Sequence, residues 1–99
     1  MPANGAETFR REMGCSEAEW LRCLPAAIGE HAWQQAGASA RVEFPDGHLQ
    51  LQWQPLAPRC MALLRLPVLQ VDFSFQGLDA AQQAAFMRRF DLYVQRGGG

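Results

Sequence analysis

The stretch that decides the fold is ARVEFPDGHLQLQW, residues 40–53, in which apolar and polar residues alternate on both sides of an Asp-Gly pair. Asp46-Gly47 suits the two positive φ angles of a type I′ turn, so it predicts a two-residue hairpin loop. In that register the apolar pairs share one face and the polar pairs the other: Phe44 with Leu49, Val42 with Leu51 and Ala40 with Trp53, against Glu43 with Gln50 and Arg41 with Gln52. A slip of one residue would mix the two sets, so the pattern favours an antiparallel hairpin with one buried face.

A second hairpin is predicted on either side of Pro67, with strands over about Arg59–Leu66 and Val68–Gln76 and a preceding loop at Pro55–Pro58. With Pro67-Val68 as the turn, four apolar pairs point inward: Leu66 with Leu69, Leu64 with Val71, Ala62 with Phe73 and Cys60 with Phe75. Gly37–Ser39 is expected to link the first hairpin to the preceding helix.

Helices are predicted before and after these strands. Ser16-Glu17-Ala18-Glu19 is a capping box that begins the first helix, and Pro25 predicts a kink or a split in it. Phe9 and Met13, four residues apart, favour one or two helical turns over Glu7–Met13. The last helix is expected over about Ala80–Gln95, with Asp79 as N-cap, Gln82 as its reciprocal partner, and an inner stripe that includes Phe86 and Phe90.

We therefore predict an α+β two-layer sandwich in which a kinked or split N-terminal helix and a C-terminal helix cover the same face of a four-stranded antiparallel meander sheet. The 99 residues suffice for a single domain with one core. Within that domain, residues 1–6 and 97–99 are expected to be disordered.

Composition excludes several classes of function. A net charge of −1 gives no long-range attraction for nucleic acid or an anionic membrane, and we expect neither as a partner. No apolar run approaches the roughly 18 residues of a membrane span, and the charged N-terminus does not fit a signal peptide. Three cysteines in no framework spacing fit free thiols in a reducing compartment, so we expect a cytoplasmic protein. Nine arginines without lysine, together with abundant alanine, indicate a bacterial genome of high GC content.

No recognisable catalytic or cofactor motif occurs, and we expect no metal and no cofactor. Cys15, Cys23 and His31 are spread over more than two helical turns, too far apart to bind one zinc ion. No glycine-rich phosphate loop or nucleophile elbow is present, and the capping roles explain Glu17, Glu19 and Asp79. The sequence favours a protein without enzymatic activity, although it does not decide the matter.

An apolar patch on the outer sheet face is the principal functional hypothesis. Met61 and Leu63 are predicted side by side on the outward face of the third strand, with Arg65 beside them, and such a patch on a polar sheet is typical of a contact surface. We expect self-association through Met61, Leu63 and Arg65, as a homodimer, or contact with another protein. The competing interpretation is that the segment carrying Phe9 and Met13 folds over this patch and covers it.

An alternative function is that of a small-ligand binder or enzyme with a pocket between the N-terminal helix and the sheet. Its predicted lining consists of Cys23, His31, Trp33, Trp53 and Cys60. A further possibility is an adaptor that binds a protein through Arg88, Arg89 and Arg96 of the last helix.

The segments FRREMGC, residues 9–15, and FMRRFDLY, residues 86–93, resemble short uncharacterised bacterial hypothetical proteins. The resemblance implies no activity, cofactor or partner.

Overall fold

The computed structural model describes residues 6–98, which form an α+β fold, as predicted, with two helices and five strands. The elements are β1 Ala6–Met13, α1 Glu17–Ile28, β2 Trp33–Ala36, β3 Ser39–Phe44, β4 Gly47–Met61, β5 Leu64–Gln76 and α2 Ala80–Gly98. The disorder expected for residues 1–5 and 99 lies outside the described residues, whereas Ala6 begins β1 and residues 97–98 continue α2.

The sheet is open and antiparallel, with the strand order β1-β5-β4-β3-β2. The strands β2 to β5 follow one another as a meander, and β1 pairs with β5 at the far edge. The prediction of four strands is therefore wrong. Strands β1 and β2 are additional, and the predicted third strand, Arg59–Leu66, is divided between the end of β4 and the start of β5.

The helical turns predicted over Glu7–Met13 are wrong, because this segment is the edge strand β1. Residues four apart share a face in a strand as well as in a helix, so Phe9 and Met13 fit both conformations. Pairing with β5 decides between them: Phe9 lies opposite Phe73 and their rings stack with centroids 4.7 Å apart.

The first hairpin forms with a register two residues away from the prediction. Phe44 pairs with Gly47 and Val42 with Leu49, so that the loop residues are Pro45 and Asp46. Proline fixes φ near −65° and favours the second position of an ordinary turn, which the type I′ prediction overlooked. Because the shift is even, every side chain stays on its predicted face.

The second hairpin differs more from the prediction. The segment Pro55–Pro58 continues β4 with a bulge between Leu56 and Arg59, and the chain reverses at Ala62-Leu63, where Ala62 has φ of 55°. The pairing of β3 with β4 ends at Gln52, and the Trp53 amide donates to the carbonyl of Ala38 at 3.0 Å. Within residues 6–98, this edge of β4 is free beyond Trp53. A proline on a free edge removes no ladder hydrogen bond, which is why two prolines are tolerated there.

The first helix runs unbroken through Pro25, so the split alternative is wrong. Its predicted capping box is present, with the Glu19 amide donating to Ser16 Oγ at 3.1 Å and the Ser16 amide donating to Glu19 Oε1 at 2.8 Å. Pro25 is exposed and lies in the last turn, where the missing amide costs one hydrogen bond.

Both helices pack on the same face of the sheet, as predicted. Trp20 of α1 contacts Trp53 of β4 and Phe90 of α2, with ring centroids 5.5 and 5.8 Å apart. The predicted cap of α2 is also present, since Asp79 and Gln82 exchange hydrogen bonds of 2.8 and 2.9 Å. The helices leave the other face of the sheet, here called the outer face, without a covering layer within the described residues.

Candidate functional site

The end of the β4–β5 hairpin projects beyond the neighbouring strands. We call residues 57–67 the arm; every one of them is exposed. Pairing of β1 with β5 ends at Leu69, and pairing of β3 with β4 ends at Gln52, so the arm is a two-stranded ribbon. Fifteen residues of β4 at about 3.3 Å each span about 50 Å, in agreement with the 49 Å long axis of the molecule.

One side of this hairpin is apolar except for Arg59. Met61 pairs with Leu64, Arg59 with Leu66 and Leu56 with Val68, and alternation along β5 puts the apolar members on the outer face of the sheet. We call Leu56, Met61, Leu64, Leu66 and Val68 the apolar face. Met61, Leu64 and Leu66 are 57%, 63% and 41% exposed, and Leu63 at the tip is 99% exposed.

The structure separates the three predicted interface residues. Met61 lies on the apolar face, Leu63 occupies the turn, and Arg65 pairs with Cys60 on the opposite side of the arm. Their predicted common face is therefore wrong, because the chain reverses at Ala62-Leu63, five residues earlier than the predicted turn at Pro67-Val68. Leu64 and Leu66, which the sequence placed in the core, are the exposed residues that sequence reasoning missed.

The competing interpretation, in which the segment carrying Phe9 and Met13 covers Met61 and Leu63, is also wrong. Phe9 points to the core, where it stacks on Phe73, and Met13 packs against the same core. Between residues 6 and 98, no element covers Met61, Leu64 or Leu66, whereas Val68, at the base of the apolar face, is buried with 9% exposure.

The rest of the outer sheet face is polar, so the apolar face has a sharp boundary. Gln50, Gln52, Gln54 and Gln70 lie there. Arg10 donates to Asp72 at 2.7 Å, and this bond together with the carboxylate charge raises the pKa of Arg10 above its usual range. Arg59 reaches Glu12 at 3.4 Å at the base of the arm. These groups are solvated pairs of opposite charge, typical of a free protein surface.

The five residues predicted to line a ligand pocket have different environments. Trp53 is core, 4% exposed, and its Nε1 donates to Glu17 at 2.9 Å. Cys23 is buried on α1, Trp33 is half-buried on β2, and Cys60 is exposed on the arm. Cys60 is thus separated from the other four. Trp53 borders a shallow depression with residues of the outer sheet face, and His31 borders a different hollow beside α2.

That hollow has a volume of about 350 Å³ and lies between the end of α1, the β3–β4 turn and α2. His31 packs on Phe44 with ring centroids 4.3 Å apart, and Phe86 lies edge-on to Phe44 at 5.3 Å. Arg89 stands at the rim. Of these residues only His31 was predicted to line a pocket. The i, i+3 spacing of Phe86 and Arg89 is the sequence signal that could have placed these two residues on one face of the helix.

Burial and spacing limit the chemistry of the thiols and of the possible metal ligands in the described part of the chain. Burial, with smaller contributions from Glu19 and Cys23, raises the pKa of the Cys15 thiol, which makes it a poor nucleophile. No group of three or more His, Cys, Asp or Glu residues between residues 6 and 98 is arranged to hold a metal ion. Neither of the two described helices has the length and apolar character needed to cross a membrane.

Comparisons with protein-family models, with curated proteins and with solved structures find no match to this chain.

Proposed function

We propose that the chain is a non-enzymatic interaction module of the cytoplasm that forms a homodimer through the apolar face of its arm. The observation that carries this proposal is the concentration of exposed leucine and methionine on a ribbon that projects from an otherwise polar sheet face. An isolated two-stranded ribbon is marginally stable in water, and exposed apolar patches of this kind mark contact surfaces. The free thiols of Cys15, Cys23 and Cys60 support a reducing compartment.

The amount of exposed apolar surface favours a second copy as the partner. Met61, Leu63, Leu64 and Leu66 together expose more than two whole side chains per arm. Burying one such side chain contributes about 1.5–3 kcal/mol, whereas association costs about 4–15 kcal/mol. One arm on a polar surface gains little over this cost, but two arms in contact bury twice as much apolar surface. A symmetric arm-to-arm contact therefore supports a weak dimer.

The charges beside the apolar face are compatible with such a symmetric contact. In a twofold interface the same patch meets itself, so each charge of one copy approaches the patch of the other. Arg59 and Glu12 provide one charge of each sign at the base of the arm. Antiparallel contact of two arms sets the base of each arm against the tip of the other. The Arg59–Glu12 pair of one copy has no net charge and then meets the uncharged tip of its partner, so like charges do not repel.

The test is the mass in solution, measured by size-exclusion chromatography with light scattering over a tenfold range of protein concentration. We expect the mass to rise from that of a monomer towards that of a dimer. Leu64→Arg puts a charge on the apolar face at a solvent-exposed position, so we expect a folded monomer at every concentration. Its circular dichroism spectrum should match that of the unmodified protein.

The matched control is Leu92→Arg, since Leu92 is 55% exposed on α2, away from the arm. This variant has the same change of charge and should dimerise like the unmodified chain. A monomer at all concentrations for the unmodified chain would contradict the homodimer, and equal loss of mass in both variants would indicate a general effect of charge.

A further inference from the structure

A second site, independent of the arm, is the hollow between the end of α1, the β3–β4 turn and α2. Its volume of about 350 Å³ lies within the range of small-molecule sites, and its surface is mainly apolar. The rings of Phe44 and Phe86 form one wall with the imidazole of His31, and Leu78 and Ala85 also border the hollow. An apolar body of six to ten non-hydrogen atoms is the kind of group that such a surface accepts.

The rim of the hollow carries a cation that no carboxylate neutralises within the described residues. Arg89 lies over the ring of Tyr93, 4.6 Å from its centroid, and its one hydrogen bond is a long contact of 3.4 Å to the carbonyl of Ala26. It takes part in none of the four ion pairs found in that part of the chain. The guanidinium therefore has donors available for an anionic partner.

The acidic residue of the β3–β4 turn is already engaged in a hydrogen bond. Asp46, at the β3–β4 turn, accepts a hydrogen bond of 2.8 Å from Gln82 Nε2. Gln82 in turn accepts from the amide of Asp79 at 2.9 Å through its side-chain oxygen. This chain of hydrogen bonds is separate from the Arg89 guanidinium and leaves Arg89 as the charged group on the lining.

We propose that the hollow binds a small monocarboxylate with an aromatic or short aliphatic body. The body packs against Phe44 and Phe86, and the carboxylate accepts hydrogen bonds from Arg89, whose planar fork matches a carboxylate in geometry. A single cation beside an apolar wall suits one negative charge better than the two charges of a phosphate monoester. The site is separate from the arm, so it does not depend on the proposed dimer.

The test is a titration of the ¹⁵N-labelled full chain, followed by NMR, with phenylacetate and hexanoate as probes and with phenylacetamide and hexanamide as their uncharged counterparts. We expect saturable shifts around residues 29–31, 44–46 and 82–89, with a dissociation constant on the order of 1 mM for a ligand of this size. The carboxylates should bind at least fivefold more tightly than the amides.

Two pairs of variants test separately how the charge of Arg89 and the shape of the hollow contribute to binding of the probes. In Arg89→Gln the preference for carboxylate over amide should fall to about onefold, whereas Arg88→Gln, the neighbouring exposed arginine, should keep it. Ala85→Phe fills the hollow and should abolish saturable binding of all four probes. Ala81→Phe, one turn earlier on α2 and also exposed, should leave that binding unchanged. A thermal melt of each variant shows whether it is folded.

Three results would overturn the proposal. The first is the absence of saturable shifts with both carboxylates up to about 20 mM, and the second is equal affinity for the carboxylates and their amides. The third is shifts located elsewhere on the molecule. If Arg89→Gln does not fold, the pair Ala85→Phe and Ala81→Phe decides the location of the site, and the amide comparison decides its charge preference.

Discussion

At the scale of single residues, Gly47 shows that the right residue can be predicted for the wrong reason. The sequence assigned this glycine to a positive φ in a type I′ turn, but within the described chain the glycines of positive φ are Gly29, Gly37 and Gly77. Gly47 is needed because β5 comes too close: a Cβ atom there would lie 1.9 Å from the carbonyl oxygen of Gln76. Position 47 therefore requires glycine because backbone atoms, which cannot move aside, leave no room for a Cβ atom, and not because its φ is positive.

The close approach of Gln76 predicts that Gly47→Ala costs more free energy of unfolding than Gly37→Ala, whereas an argument from positive φ alone predicts the reverse. Gly47→Ala should lower the free energy of unfolding by more than about 2 kcal/mol, because the clash with Gln76 forces the strands apart. Gly37→Ala should cost only about 1 kcal/mol, since Gly37 has φ of 59° but open space around its Cβ position. Urea denaturation of both variants measures the two values. A larger cost at Gly37 would contradict the close approach at Gly47.

At the scale of elements, the sequence predicts which face of the sheet most core side chains occupy, but it does not predict where each strand begins and ends. Val42, Leu49 and Leu51 lie in the core as expected, because an even shift of register leaves each residue on its face. The edge strand β1 was missed because its partner β5 is distant in the sequence. The edge strand β2 was missed because Gly37-Ala38, which forms the turn between β2 and β3, was interpreted as part of a linker. On the arm, the bulge in β4 and the turn at Ala62-Leu63 reversed the facing of Leu64 and Leu66, and no local signal in the sequence marks either feature.

The first helix shows how packing overrides a local signal, and this can be measured. Pro25 removes one helical hydrogen bond, but Trp20, Leu24, Ala27 and Ile28 are all buried and hold the helix together. Pro25→Ala restores an amide donor for the carbonyl of Leu21, so the free energy of unfolding should rise by about 1–3 kcal/mol.

Pro25→Gly is the control for that variant, because it restores the same amide without the helix propensity of alanine. Its gain should be smaller by about 1 kcal/mol. If neither variant is more stable than the unmodified chain in urea denaturation, the helix does not need the missing hydrogen bond, and its last turn is held by packing alone.

At the scale of the whole molecule, the reaction rates of the three thiols measure folding and association separately. Cys15 and Cys23 are buried, and Cys60 is exposed on the side of the arm opposite the apolar face. Burial raises the pKa of the Cys15 thiol, so the folded chain keeps it protonated to higher pH than the unfolded chain does. The stability that this shift contributes is present below the ordinary cysteine pKa and is lost as the pH rises through the raised value.

Reaction with a disulfide reagent at pH 8 should therefore modify one thiol per chain rapidly and two slowly. The slow rate follows unfolding, and it should fall as protein concentration rises, because association stabilises the native state. The rate of Cys60 should not change, since an interface on the apolar face leaves the opposite side of the arm open. A Cys60 rate that falls with concentration would instead place the interface on the side of Arg65, and a slow rate that is independent of concentration would mean that the chains do not associate in this range.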